Sequence, residues 1–262
     1  MIAGTTGESA TLSHHELFSL IEIAVAEAHH RIPIIAGTGS ASTEEALKKT
    51  IAAKRLGADA CLVVFPYYNR PTFEGCKAHF QKISECGLPT VAYHHPGRTG
   101  VRMTTKQLIE ICSLPGVIAI KESSGDVDFA LELIQSTDKA VISGDDSLTL
   151  PLIACGAKGV ISIVGNVIPR EWAYFVHCNL DGRLEEARRS FKAISPLCKS
   201  LVLETNPQCV KYAVSLIQKC DPFLRLPLLT PQETTKKMIG SALQAFMRSR
   251  SLFENVVGVE MG

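Results

Sequence analysis

The chain has 262 residues, 27 basic against 26 acidic side chains, a formal net charge of +1, and 46% hydrophobic and 20% charged residues. So even a balance leaves no electrostatic footprint for nucleic acid or anionic membrane, and no apolar run approaches the ~20 residues of a bilayer-crossing helix. Nine cysteines, an odd number with no C-x-x-C pair, argue against a disulfide framework or a zinc module and for free thiols in a reducing cytoplasm.

In chain order, Met1-Ile2-Ala3 reads as the tail of a strand that turns at Gly4. Ser13-His14-His15-Glu16 has the form of a capping box that opens a helix, and Ser42-Thr43-Glu44-Glu45 repeats it. Strands are predicted over 33–37, 60–66, 89–94, 117–122, 140–145 and 159–164, all apolar on both faces as buried parallel strands are. Leu56-Gly57-Ala58-Asp59-Ala60 and Cys155-Gly156-Ala157-Lys158-Gly159 nearly repeat, each a helix-ending glycine followed by a turn and a strand. Strand and helix alternate, which predicts a parallel sheet of β/α units. After Val164 the strands stop, and Pro169, Pro207 and Pro231 each stand where a helix would begin. Thr230-Pro231-Gln232-Glu233 is a third capping box. The expected division is a β/α region over 1–180 and a helical region over 181–262.

A (β/α)₈ barrel takes about 250 residues, or about 31 per unit, so residues 1–180 hold about six units. Two architectures fit that count: an open, doubly wound sheet, or a barrel lacking its first unit. The second predicts about 30–40 further residues upstream, and a chain that is poorly soluble or inactive as written.

Four constellations point to chemistry. Gly4-Thr5-Thr6-Gly7-Glu8-Ser9 lies at a strand end, where consecutive N–H groups and the hydroxyls of Thr5 and Thr6 suit a small carboxylate. Lys121 ends the apolar run Val117-Ile118-Ala119-Ile120. At an ordinary lysine pKa only roughly one amine in 2,500 is neutral at pH 7; desolvation lowers the pKa and readies the amine to attack a ketone. Phe65-Pro66-Tyr67-Tyr68-Asn69-Arg70-Pro71 and Tyr93-His94-His95-Pro96-Gly97-Arg98-Thr99-Gly100 are aromatic-rich strand ends. They offer a tyrosine for proton transfer and an arginine able to clamp a carboxylate. The run Gly37-Thr38-Gly39-Ser40 resembles a dinucleotide fingerprint but lacks its third glycine and a strand-ending acid. Adjacent histidine pairs at 14/15, 29/30 and 94/95 diverge and share no metal-binding face. Asp145-Asp146 reads either as a carboxyl pair or as a loop acid capping the next helix.

These motifs, with Gly144-Asp145-Asp146 and Glu204-Thr205-Asn206-Pro207, fall in the order found in the dihydrodipicolinate synthase family of pyruvate-dependent class I aldolases, which the chain resembles from Gly4 almost to its end. The resemblance implies a (β/α)₈ TIM barrel with a C-terminal helical extension, beginning here inside the second strand. It implies that Lys121 forms a Schiff base with pyruvate, with Tyr93 as general acid/base linked through Thr5 to Tyr68, a residue that reaches into a neighbouring subunit's site. Thr5 and Thr6 would hold the pyruvate carboxylate, Gly144 and Ile161 would line the pocket, and Arg98 would bind aspartate 4-semialdehyde. No metal or organic cofactor is required, and a homodimer or a tetramer of two dimers is implied. The chain departs from the family where His94 follows the tyrosine in place of the common asparagine. It departs again in the lysine-feedback pocket, where Ser9, Ala10, His14, Glu45 and Tyr67 match but Leu17 and Ala41 replace a histidine and an asparagine. Two alternatives remain: a sibling lyase of N-acetylneuraminate or 2-keto-3-deoxy-sugar acids, against which Arg98-Thr99-Gly100 argues, and a truncated, catalytically inactive barrel.

Overall fold

The computed structural model describes residues 1–218 and 220–254. The described residues form two compact units, one of residues 1–144 with 155–161 and the other of residues 145–154 with those described from 162 to 254.

In the first unit, strands β1 (Ile35–Gly37), β2 (Ala60–Val64), β3 (Thr90–His94), β4 (Val117–Glu122) and β5 (Ala140–Ser143) pair in chain order, all parallel. Parallel neighbours need a crossover. The helices α1 (His14–Ala28), α2 (Thr43–Arg55), α3 (Phe73–Ser84), α4 (Pro96–Thr99), α5 (Thr105–Cys112) and α6 (Val127–Ser136) alternate with the strands. Two isolated parallel bridges extend the row, Ile2 to Ala36 at one side and Ser143 to Val160 at the other. Ile2 thus pairs as a strand tail should.

Five predicted strands are present, most of them shortened at the ends. The sixth, over 159–164, is reduced to the bridge at Val160, with a 3₁₀ turn at Val164–Asn166. Gly159 has φ +148°, and the Ile163 and Val164 N–H groups bond the Asp146 carboxylate, at 3.1 and 2.7 Å, instead of a ladder. Asp146 is therefore a buried pin for this loop.

Alternation along the strands makes two apolar layers. Cys61, Val63, Phe65, Ala92, Ile120 and Val141 pack against Ile21, Phe80, Ile83, Leu108 and Leu133 of the helices. Leu62, Val91, Tyr93 and Ala119 form a separate cluster on the other face, with Ile35, Val64, Ala140, Ile142 and Ile161 against them. Burying each large side chain contributes about 1.5–3 kcal/mol, which is why both faces of the strands are apolar in the sequence.

The helix starts follow local chemistry. Both arms of the Ser13 capping box form, Glu16 N–H to Ser13 Oγ at 3.3 Å and Ser13 N–H to Glu16 Oε2 at 2.8 Å. Such a cap contributes about 1 kcal/mol. Ser42 caps α2 through the Glu45 N–H, while the Glu45 carboxylate pairs with Lys48 and His14, both at 3.2 Å. Burial pushes the thiols of Cys76 and Cys112 up to about 11, so at neutral pH they behave as small apolar groups.

The second unit carries α7 (Thr149–Ala154), α8 (Pro169–Leu180), α9 (Leu184–Ser200), α10 (Gln208–Ser215), α11 (Glu233–Ser249) and α12 (Ser251–Glu254). Phe175 packs on Trp172 and Phe191 at centroid distances of 4.9 and 5.3 Å, and Arg250 bonds the buried Glu171 at 2.6 Å. Pro169 opens α8 as predicted. The third capping box does not form: α11 starts after Gln232, whose N–H donates to Glu204 at 2.9 Å. Among the described residues no helix is long and apolar enough to cross a membrane.

Candidate active site

Parallel strands all end at one edge of their sheet, so the segments after Ile2, β1 to β5 and Val160 lie along that edge. Lys121 and Tyr93 are register partners on β4 and β3 and face the same side. The lysine is 7% exposed, and its Nζ lies 4.2 Å from the centroid of the Tyr93 ring. A cation over an aromatic face is attracted by the ring quadrupole, which holds the amine at the phenol.

Gly144 closes this pair from β5. A Cβ at Gly144 would stand 1.6 Å from Ser123 Oγ and 2.7 Å from Lys121 Cε, so only glycine lets the backbone come this near the lysine stem. Its N–H is fixed to the Glu122 carbonyl at 2.8 Å. Ile161 N–H bonds the Ser143 carbonyl at 2.9 Å, and its side chain packs against the cluster that contains Tyr93.

Thr5 and Thr6 stand in the turn after Ile2. Ala3 and Glu8 are left-handed, with φ of +53° and +58°, and the Thr5 carbonyl accepts the Glu8 N–H at 3.1 Å. Gly37 lacks a Cβ because the Ala3 carbonyl oxygen would be 2.1 Å from it, and Gly39 because Val64 N would be at 2.5 Å. The Gly37-Thr38-Gly39 run is thus a site of backbone packing, which accounts for its glycines without a nucleotide.

Arg98 lies on α4, exposed, directly after the β3 end. Its charge reaches His95, whose pKa is pushed down to about 4 by burial, with further lowering by Arg98 and Lys121. His95 is therefore neutral at pH 7, its ring edge-on to Tyr93 at 5.8 Å. Tyr68, in contrast, is 93% exposed, at φ +69°, and projects away from its own chain. Lys121 thus meets Tyr93 on one side and Gly144 on another, Ile161 packs against the cluster that contains Tyr93, and Tyr68 stands apart.

Four neighbours were given no role in the site from sequence: His95, Ser123, His94 and Glu122. The first two follow from alternation, since 93/95 and 121/123 share a face. Ser123 is buried, and its Oγ has no hydrogen-bond partner among the described residues.

Comparison with known proteins bears on this cluster. The model of the dihydrodipicolinate synthetase family matches residues 1–246. The chain belongs to this family. A 4-hydroxy-tetrahydrodipicolinate synthase of Persephonella marina is 45% identical over 251 residues, covering 94% of this chain and 86% of that protein. The structure of 4-hydroxy-tetrahydrodipicolinate synthase from Methylacidiphilum fumariolicum SolV superposes with TM-score 0.93 at 37% identity, over 96% of this chain and 85% of that one. A protein characterised as a monomeric dihydrodipicolinate synthase variant superposes with TM-score 0.91 at 37% identity, over 94% and 84% of the two chains. The dihydrodipicolinate synthetase match takes in Tyr93, Lys121, Gly144 and Ile161, and the Thr5 turn besides.

Proposed function

We propose that the protein is a 4-hydroxy-tetrahydrodipicolinate synthase, condensing pyruvate with L-aspartate 4-semialdehyde in diaminopimelate and lysine biosynthesis. The observation that carries this reading is the Lys121 amine held 4.2 Å over the Tyr93 ring at a strand end, in a chain of this family. Lys121 attacks the pyruvate carbonyl and water leaves, giving an iminium. The iminium withdraws electrons, the pyruvate methyl loses a proton to give an enamine, and the enamine carbon attacks the aldehyde. Tyr93 carries the proton, relayed through Thr5 and Tyr68. Thr5 and Thr6 bind the pyruvate carboxylate, Gly144 and Ile161 shape the pocket, and Arg98 binds the carboxylate of the semialdehyde. The lysine iminium is itself the electron sink, so the route calls for no metal or organic cofactor.

Five strands plus two bridged segments make seven consecutive positions, and we read them as part of the family's (β/α)₈ barrel. The exposure of Tyr68 supports its use in a partner's site, and with it a homodimer or a tetramer of two dimers. Borohydride reduction in the presence of pyruvate tests the reading: the reduced adduct mass is expected on the peptide that contains Lys121. A label on another lysine, or none in folded protein, overturns it.

Two further results are expected. Arg98→Ala raises the KM for the semialdehyde far more than that for pyruvate. Losing one partner of a charge-assisted pair costs about 2 kcal/mol or more, about thirtyfold in affinity. Equal effects on both constants, or preference for a sugar acid, would assign the chain to a sibling aldolase. Free lysine inhibits weakly or not at all. His14 and Glu45 meet at 3.2 Å, but Leu17 is packed into the core and Ala41 offers no side-chain polar group. Two unsatisfied ligand groups, at about 1–3 kcal/mol each, weaken binding by roughly two decades or more. Low-micromolar inhibition in a steady-state assay would show that other residues replace those contacts.

A further inference from the structure

We propose that the buried His94–Glu122 pair is the positioning element that sets Lys121 against Tyr93. The proposal rests on the reading of Lys121 as nucleophile and Tyr93 as acid/base. His94 and Glu122 are the residues that follow Tyr93 and Lys121, and they are register partners in their turn. Alternation sends them to the helix side of the sheet, behind the reactive pair. There the two side chains are 1% and 2% exposed, and His94 Nδ1 meets Glu122 Oε2 at 2.6 Å. The Met103 N–H donates to His94 Nε2 at 3.3 Å, so Nδ1 carries the ring proton and donates to the carboxylate. The other carboxylate oxygen accepts the Ser124 N–H. Phe65 and Phe129 flank the imidazole, with centroids at 5.8 and 5.6 Å.

The backbone gives this tie its purpose. The β3–β4 ladder is irregular between Thr90 and Val91: Thr90 pairs with Val117, but Val91 pairs with Ala119. An extra residue in one strand means that pairing below the irregularity does not dictate pairing above it. A slip of one residue there would turn Lys121 to the wrong face. His94–Glu122 is a side-chain bond across the upper part of the ladder, one residue beyond the reactive pair. The same two residues also hold the adjoining chain ends, through Ser123 N–H to the His94 carbonyl at 3.0 Å and Gly144 N–H to the Glu122 carbonyl at 2.8 Å. The pair acts through Lys121 and Tyr93 and does not itself meet substrate.

The test uses the full chain and follows kcat, the KM for each substrate, the rate of pyruvate trapping by borohydride, and thermal melting. His94→Asn places an amide N–H where Nδ1 donates and should keep kcat within about threefold. His94→Leu fills the space without a donor and should lower kcat by about ten- to a hundredfold, the scale of a reacting group misplaced by about 1 Å. The KM for pyruvate should move by no more than about twofold, because the carboxylate contacts of the Thr5 turn are untouched. If His94→Leu does not fold, Glu122→Gln carries the test: it keeps the shape but sets an amide N–H against either Ser124 N–H or the imidazole N–H. A lower melting temperature with unchanged kcat per folded molecule in the Leu or Gln variant overturns the proposal, as does a His94→Asn variant as slow as His94→Leu. Absence of a Lys121 adduct in the parent protein instead overturns the functional reading, so the two failures are distinct.

Discussion

Tyr93→Phe is expected to turn over roughly 10²–10⁴-fold more slowly than the parent, the usual cost of a lost acid/base group, while still forming the trapped pyruvate adduct. The substitution separates two properties of one side chain. The ring is what Lys121 faces at 4.2 Å, and phenylalanine keeps it. It also keeps the apolar contact with Leu62, Val91 and Ala119, so no cavity opens in the cluster. Only the hydroxyl is lost, and with it the proton transfers of enamine formation. Tyr93→Leu removes the ring as well, so adduct formation itself should slow. Steady-state turnover and single-turnover trapping on the same preparations decide between these outcomes. Phenylalanine at parental turnover would remove Tyr93 from the mechanism.

What the sequence discloses here depends on how local the determining interaction is. The run at 60–64 announces a strand because Cys61 and Val63 face helices while Leu62 and Val64 face the other way, and both environments are apolar. The run at 159–164 is equally apolar, yet its N–H groups at Ile163 and Val164 bond Asp146, 17 and 18 residues earlier, and a composition pattern does not register such a partner. Lys121 and Tyr93 are legible as strand-end residues and by family resemblance. Their contact is not, since it depends on a register that shifts by one residue between Thr90 and Val91. His94 and Glu122 are hidden for the same reason. Each is an ordinary polar residue in its own segment, and only pairing across 28 residues of sequence makes them a unit. The glycines of Gly37-Thr38-Gly39 illustrate the opposite case: the motif is visible, but its cause is backbone approach by Ala3 and Val64.

Gly144→Ala is the substitution for which the geometry leaves least room. The new methyl would lie 1.6 Å from Ser123 Oγ, 2.9 Å from Ser123 Cβ and 2.7 Å from Lys121 Cε. Something has to move. The serine hydroxyl is able to turn about one bond, and its Cβ yields only with the β4 backbone. The lysine stem is the softest of the three, so it gives way and leaves its place over Tyr93. Overpacking of this kind costs about 1–3 kcal/mol, which most folds survive. Displacing a reacting amine by about 1 Å costs about a hundredfold in rate, so activity should fall far more steeply than stability. Adding Ser123→Gly to Gly144→Ala separates the two effects. It removes both serine contacts and should restore the melting temperature, yet it leaves the 2.7 Å encounter with Lys121 Cε in place. Pyruvate trapping should therefore stay slow in the double variant. Trapping at the parental rate in Gly144→Ala alone would mean that Lys121 does not need the space that glycine leaves beside it.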